Sequence, residues 1–252
     1  MLEALFLTMN TTTLSNNIQM IQSYYRFLML GKYMEHHIKS EKHEITVADL
    51  RIATGEHSSF GIKLPMIKSL MNQIHENPDK KNIFGYLIEV SAFRGIFGIM
   101  RELLDSNSPF FTYSSQRLWS QYFSFEQSIR LIRNVLSHTT TSGIILNIED
   151  FVKQRDFLIH EKDPVVKFDF VYADNWKERT GSKDYWIHLE LNFTKFQEGQ
   201  SLFDIISLHQ LYMLAELCSN LCELCASTLP KPKKTNSLKK NMKTVWKMER
   251  KV

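Results

Sequence analysis

Glycine and proline are scarce in this 252-residue chain, at nine and six residues. That argues against a turn-rich β-sandwich and for long helices. Cysteine is scarcer still. Its three copies, Cys218, Cys222 and Cys225, fall in one short stretch and cannot form the disulfide framework of a small secreted domain. No run approaches the roughly 18 apolar residues of a membrane span. The opening MLEALFLTM is apolar but short, with neither a basic flank nor a small-residue cleavage site, so no signal peptide is expected. The chain also lacks a phosphate-cradling Gly-rich loop, an H-E-x-x-H pair and a nucleophile elbow, which removes support for nucleotide hydrolase, metalloprotease and serine hydrolase chemistry. These absences lead to the expectation of a soluble, cytoplasmic protein with no cofactor, no metal and no membrane partner.

What remains is an ordinary globular composition, 43% hydrophobic and 23% charged, with enough residues for one large core. The net charge of +4 conceals an asymmetry. Thr228–Val252 carries nine Lys/Arg and one acid, whereas Met1–Ser227 carries 22 basic and 26 acidic residues. A basic tail on a mildly acidic body confines any electrostatic argument for nucleic acid to the tail.

Apolar spacing predicts helices over about Leu14–His37, Lys63–Glu76, Asn82–Leu104, Phe123–Ser137, Ile148–Ile159 and Leu202–Cys225. Asn77-Pro78-Asp79 gives a turn before the third of these, and Asp105–Pro109 interrupts the pattern after it. Alternation in Val165–Val171 and Tyr185–Phe193, around a polar loop containing Gly181, predicts a β-hairpin. The expected fold is mainly α. One helical domain spans 1–229 with a hairpin inserted at about 165–194, followed by a flexible basic tail over 230–252.

The stretch FSFEQSIRLIRNVLSHTTTSG, Phe123–Gly143, carries the chemistry. On a helical wheel Arg130, Arg133, Asn134, Ser137 and His138 share one sector with Glu126 and Gln127. Phe125, Ile129, Leu131, Ile132, Val135 and Leu136 take the opposite side. The last turn of a helix carries partial negative charge that favours imidazolium, so a histidine there can trade protons. A guanidinium one turn earlier can grip a phosphate oxygen in a fork and offset developing charge, and an asparagine beside it can hold the ring or an oxygen. Together they suit cleavage of RNA through its own 2′-hydroxyl, which needs a base and an acid but no metal. A merely solvated helix face presents the same residue types.

Arg133-Asn134-Val-Leu-Ser-His138 resembles the R-N-x-x-x-H signature of the HEPN superfamily. The resemblance covers the signature helix and, by pattern alone, its neighbours in a core of about 82–227. It implies a compact helical bundle that dimerises and a metal-independent endoribonuclease acting in toxin–antitoxin or anti-phage defence. His138 would be the acid/base, Arg133 the phosphate ligand and Asn134 a support. RNA, a second copy of the chain and an antitoxin or defence-system protein are the partners implied. Some HEPN domains are inert, so the alternative is a module that binds RNA or a nucleotide or mediates assembly. Thr140 stands where toxins paired with nucleotidyltransferase antitoxins carry tyrosine.

Two further clusters lie outside this stretch. Cys218, Cys222 and Cys225 share one face of a Leu-rich helix; three thiols from one helix without a fourth ligand read as core, not zinc. His36 and His37 point about 100° apart on a helix and make poor joint ligands. In the tail, Lys239, Lys240 and Lys243 can attract RNA phosphates while Trp246 stacks on a base. Arg130, outside the signature, is a further candidate RNA contact. A solvated tail is the other reading.

Overall fold

The computed structural model describes residues 11–40, 50–53, 59–76, 83–105, 108–138, 143–171 and 186–228. Among them run α1 (Thr11–Ser40), β1 (Leu50–Ala53), β2 (Ser59–Ile62), α2 (Leu64–Glu76), α3 (Ile83–Leu103), α4 (Pro109–Leu118), α5 (Tyr122–His138), α6 (Ile148–Glu161), β3 (Val165–Val171), β4 (Trp186–Asn192) and α7 (Leu208–Thr228). The chain is mainly α, as its glycine and proline poverty predicts. It divides into two compact units: Leu30–Leu87 form one, and α1 up to Met29 with everything from Ile88 to Thr228 forms the other.

In the smaller unit β1 and β2 pair antiparallel, from Leu50 opposite Ile62 to Ala53 opposite Ser59. This hairpin was not anticipated: strands of four residues are too short for alternation to register. Nearby in the same unit, Glu35 is buried and held by Lys32 Nζ at 2.6 Å.

The larger unit is organised around α7. Leu211, Leu214, Leu217, Cys218, Leu221 and Cys222 are all fully buried there, so the helix is enclosed on most sides. It packs on α4 and β4, while β3 lies on α5. β3 and β4 pair antiparallel from Val165–Asn192 to Val171–Trp186. Period-two alternation puts Val166, Phe168, Ile187, Leu189 and Leu191 inward, with Phe168 against Phe125 of α5 at 5.6 Å between ring centroids. The outer face carries a Lys167–Glu190 ion pair, a His188–Asp169 hydrogen bond and an exposed Trp186.

Two boundaries differ from expectation in this unit. Asp105–Pro109 does not simply interrupt the chain: it begins α4. Ser108 Oγ accepts from Phe111 N at 3.0 Å and also donates to Leu103 O, so one serine starts α4 and closes α3, with Pro109 at the first helical position. The last helix starts at Leu208 rather than Leu202, because Leu202–Asp204 is a separate 3-10 turn capped by Ser201. The hairpin stands close to its expected place, and its predicted loop lies outside the described residues, as does the basic tail. Among the described residues no helix is long and apolar enough to cross a membrane.

Candidate active site

The site begins with how α5 ends and α6 starts. The apolar side of α5 is buried through Phe125, Ile129, Leu131, Ile132, Val135 and Leu136, as the wheel requires. That fixes the rotation of the helix and turns Arg133 and His138 outward, both exposed. At its C-terminus Arg94 of α3 donates Nε to Leu136 O at 2.8 Å, satisfying one of the carbonyls that a helix end leaves open. Ser137 Oγ donates back to the carbonyls of Arg133 and Asn134.

At the start of α6, Asn147 adopts extended backbone and its N–H donates to Asp150 Oδ2 at 2.7 Å, the reciprocal half of a capping box. The other oxygen, Oδ1, meets His138 Nδ1 at 2.5 Å. The Asp150 side chain is completely buried, whereas that of His138 is 45% exposed. A carboxylate can only accept, so Nδ1 carries a proton and the lone pair of a neutral ring lies on Nε2. Among the described residues Nε2 has no hydrogen-bond partner. A buried carboxylate orienting a half-exposed imidazole is the arrangement that general acid–base chemistry uses.

Asn134, one turn before His138, donates Nδ2 to Asp150 O at 3.0 Å and accepts from Arg133 Nη1 at 3.3 Å. It therefore ties the two helices together at the site instead of holding the imidazole. Further along, Gln154 Nε2 donates to both the backbone and the side-chain oxygen of Gln127 at 2.8 Å. The wheel placed Gln127 with the exposed sector, but it is buried, because α6 lies over that edge of α5 and supplies the amide partner its polarity requires.

From Arg133 and Asn134 a cleft of about 530 Å³ opens between α3, α5 and α6. Arg130 and Arg133 of α5, Arg101 of α3 and Lys153 of α6 line it, with Gln154 and Gly98. Arg130 is paired with Glu126 at 3.3 Å. Among the described residues Arg101, Arg133 and Lys153 carry no carboxylate partner. Of the acids that line the cleft, Asp150 is spent on His138 and Asn147, Asp105 has a partner, and Glu102 and Glu149 are solvent-exposed. Arg130 Nε and Gln154 Oε1 are buried without a partner. Such atoms cost about 1–3 kcal/mol each.

No family model, curated protein or solved structure matches this chain.

The structure brings Arg130, Arg133, Asn134 and His138 together along one helix and adds Asp150, which the sequence reading did not single out. Asn147-x-x-Asp150 at a helix start was the available signal for it. Arg101 and Lys153 were likewise missed. Lys239, Lys240, Lys243, Trp246 and Thr140 lie outside the described residues. Cys218, Cys222 and Cys225 are free thiols in the core, and burial pushes Cys225 up to about 11 and the other two well above the ordinary thiol value. His36 is exposed, and His37 stacks on Tyr33 with centroids 5.9 Å apart.

Proposed function

We propose that this chain is a HEPN-type, metal-independent endoribonuclease acting as a homodimer in the cytoplasm, in toxin–antitoxin or anti-phage defence, with RNA as substrate and an antitoxin or defence-system protein as its regulator. The observation that carries the reading is the His138–Asp150 pair at the exposed end of α5, with the guanidinium of Arg133, bonded to Asn134 Oδ1 and without a carboxylate partner among the described residues, on the same face. Neutral His138 takes the proton of a ribose 2′-hydroxyl through Nε2. The freed oxygen bonds to the adjacent phosphorus as the P–O5′ bond breaks, and an imidazolium gives its proton to the departing 5′ oxygen. The products are a 2′,3′-cyclic phosphate and a 5′-hydroxyl. Arg133 offsets charge on the non-bridging oxygens, and Asp150 keeps the ring in the tautomer the first step needs. A twofold dimer meeting at this helix end supplies base and acid from two copies of His138, since an isologous contact places the same residue on both sides.

The test is RNA cleavage in excess EDTA by the full chain and by His138→Ala, with product ends analysed. Cleavage to cyclic phosphate ends that disappears in the folded variant is the expected result. Cleavage that survives the substitution overturns the assignment. RNA bound but cut by neither protein favours the non-catalytic HEPN-like module.

A further inference from the structure

The pair at the end of α5 accounts for one phosphate, the scissile one, whereas Arg101, Arg130 and Lys153 line the cleft running away from it along α5 and α6 and take no part in that chemistry; Glu102, Asp105, Glu149 and Asp150 line the same cleft. Arg101 and Lys153 face it from two further helices with no carboxylate partner among the described residues, and Arg130 lines it with a buried, unsatisfied Nε. Three helices bring Arg101, Arg130 and Lys153 to one concavity, where each can turn toward a bound phosphate. Its volume, about 530 Å³, lies within the range of pockets that enclose small organic ligands, so it suits one nucleotide rather than a duplex. Gly98 contributes no side chain to the wall: a Cβ built there meets nothing within 4 Å.

We propose that this cleft is a nucleotide subsite for single-stranded RNA, in which Arg101, Arg130 and Lys153 hold the phosphate next to the scissile one and so set the register of the strand over His138. The inference rests on the ribonuclease reading and gives it a substrate form: an unpaired strand with one nucleotide lodged between α3, α5 and α6. Arg101 and Lys153 are positioning residues here. They fix which bond reaches His138 without touching the transferred proton.

The experiment uses the full chain carrying His138→Ala, so that RNA is not consumed, and measures binding of a fluorescein-labelled single-stranded RNA across salt concentrations. Arg101→Gln with Lys153→Gln is compared with that parent, and Gly98→Phe, which fills the cleft without removing charge, is the second variant. Each phosphate contact contributes about 0.7 to the slope of log K against log salt for a single strand. Arg101 and Lys153 share one phosphate, so the double variant should lose about 0.7 of that slope and bind about tenfold more weakly at low salt, and Gly98→Phe should weaken binding without changing the charge of the protein. An unchanged slope in the folded double variant overturns the proposal. So does loss of binding to free adenosine 3′-monophosphate with RNA binding intact, since that assigns the cleft to a mononucleotide. The two readings fail separately. Cleavage that survives His138→Ala refutes the ribonuclease assignment whatever the slope, and His138-dependent cleavage with an unchanged slope refutes the cleft alone.

Discussion

Two glycines three residues apart on α3 should respond in opposite directions to the same substitution. Glycine inside a helix is less favourable than alanine by about 0.8–1.0 kcal/mol, because it gives up more backbone freedom on folding. At Gly98 the added methyl meets nothing within 4 Å, since that position opens on the cleft. Gly98→Ala therefore keeps the whole propensity gain, about 1 kcal/mol, and Tm should rise by about 2–4 °C for a chain of this size. At Gly95 the same methyl falls 2.5 Å from Tyr24 Cε2 and 2.6 Å from Cδ2 and Cζ, inside the van der Waals surface of a ring packed on the helix. Overpacking of that kind costs about 1–3 kcal/mol or more, exceeding the gain, so Gly95→Ala should be less stable than the parent by about 1–2 kcal/mol. Thermal unfolding by calorimetry, with circular dichroism to confirm helix content, separates the variants by roughly 5–10 °C. A Gly98→Ala protein no more stable than the parent, or a Gly95→Ala protein at least as stable, would refute the account of how α1 and the cleft divide neighbouring positions on α3.

Three further outcomes follow from the described geometry. Asp150→Asn leaves an acceptor for Asn147 N–H but confronts His138 with an amide, so on the proposed ribonuclease reading cleavage should fall on the order of 10³-fold with the fold retained, and a rate within threefold of the parent would remove Asp150 from the proposed mechanism. Cys218, Cys222 and Cys225 are buried with raised thiol pKa values, so a thiol reagent such as DTNB should label none of them in the native protein at neutral pH and all three in denaturant; rapid native labelling would contradict their placement in the core. Burial raises the Glu216 carboxyl, so the folded chain keeps a proton there that the unfolded chain has released; this stability is complete below the ordinary carboxyl value and is lost as pH rises through the raised one. Glu216→Gln, neutral throughout, should gain in Tm relative to the parent between about pH 4 and pH 7, and a difference independent of pH would argue against the shift.

The long helices were legible because their apolar residues recur at 3.6-residue spacing over four or more turns, a signal that α3 and α5 both carry. α4 was not, although Ser108-Pro109 is itself a helix start. Its ten residues bury Phe110, Ser114 and Leu118 on one stripe, and a serine in the middle of a short stripe breaks the apolar pattern. At the candidate site, the shared sector of Arg130, Arg133, Asn134 and His138 on α5 could be read from spacing within one helix. Asp150, Lys153 and Arg101 could not, since each belongs to another helix and only tertiary packing brings it near Arg133. The reversal at Gln127 has the same origin: a wheel separates polar from apolar but does not reveal that a second helix will cover the edge and offer an amide.

Asp150 divides its two oxygens between architecture and chemistry, one on the first turn of α6 and the other on the imidazole. The carboxylate is thus a mechanical link. Unwinding the first turn of α6 releases His138, and drawing His138 away leaves a buried negative charge held by Asn147 N–H alone. Exchange of the Asn147 amide with solvent deuterium is therefore a gauge of the state of a ring it does not touch, and a ligand that loosened the start of α6 would release His138 without touching it.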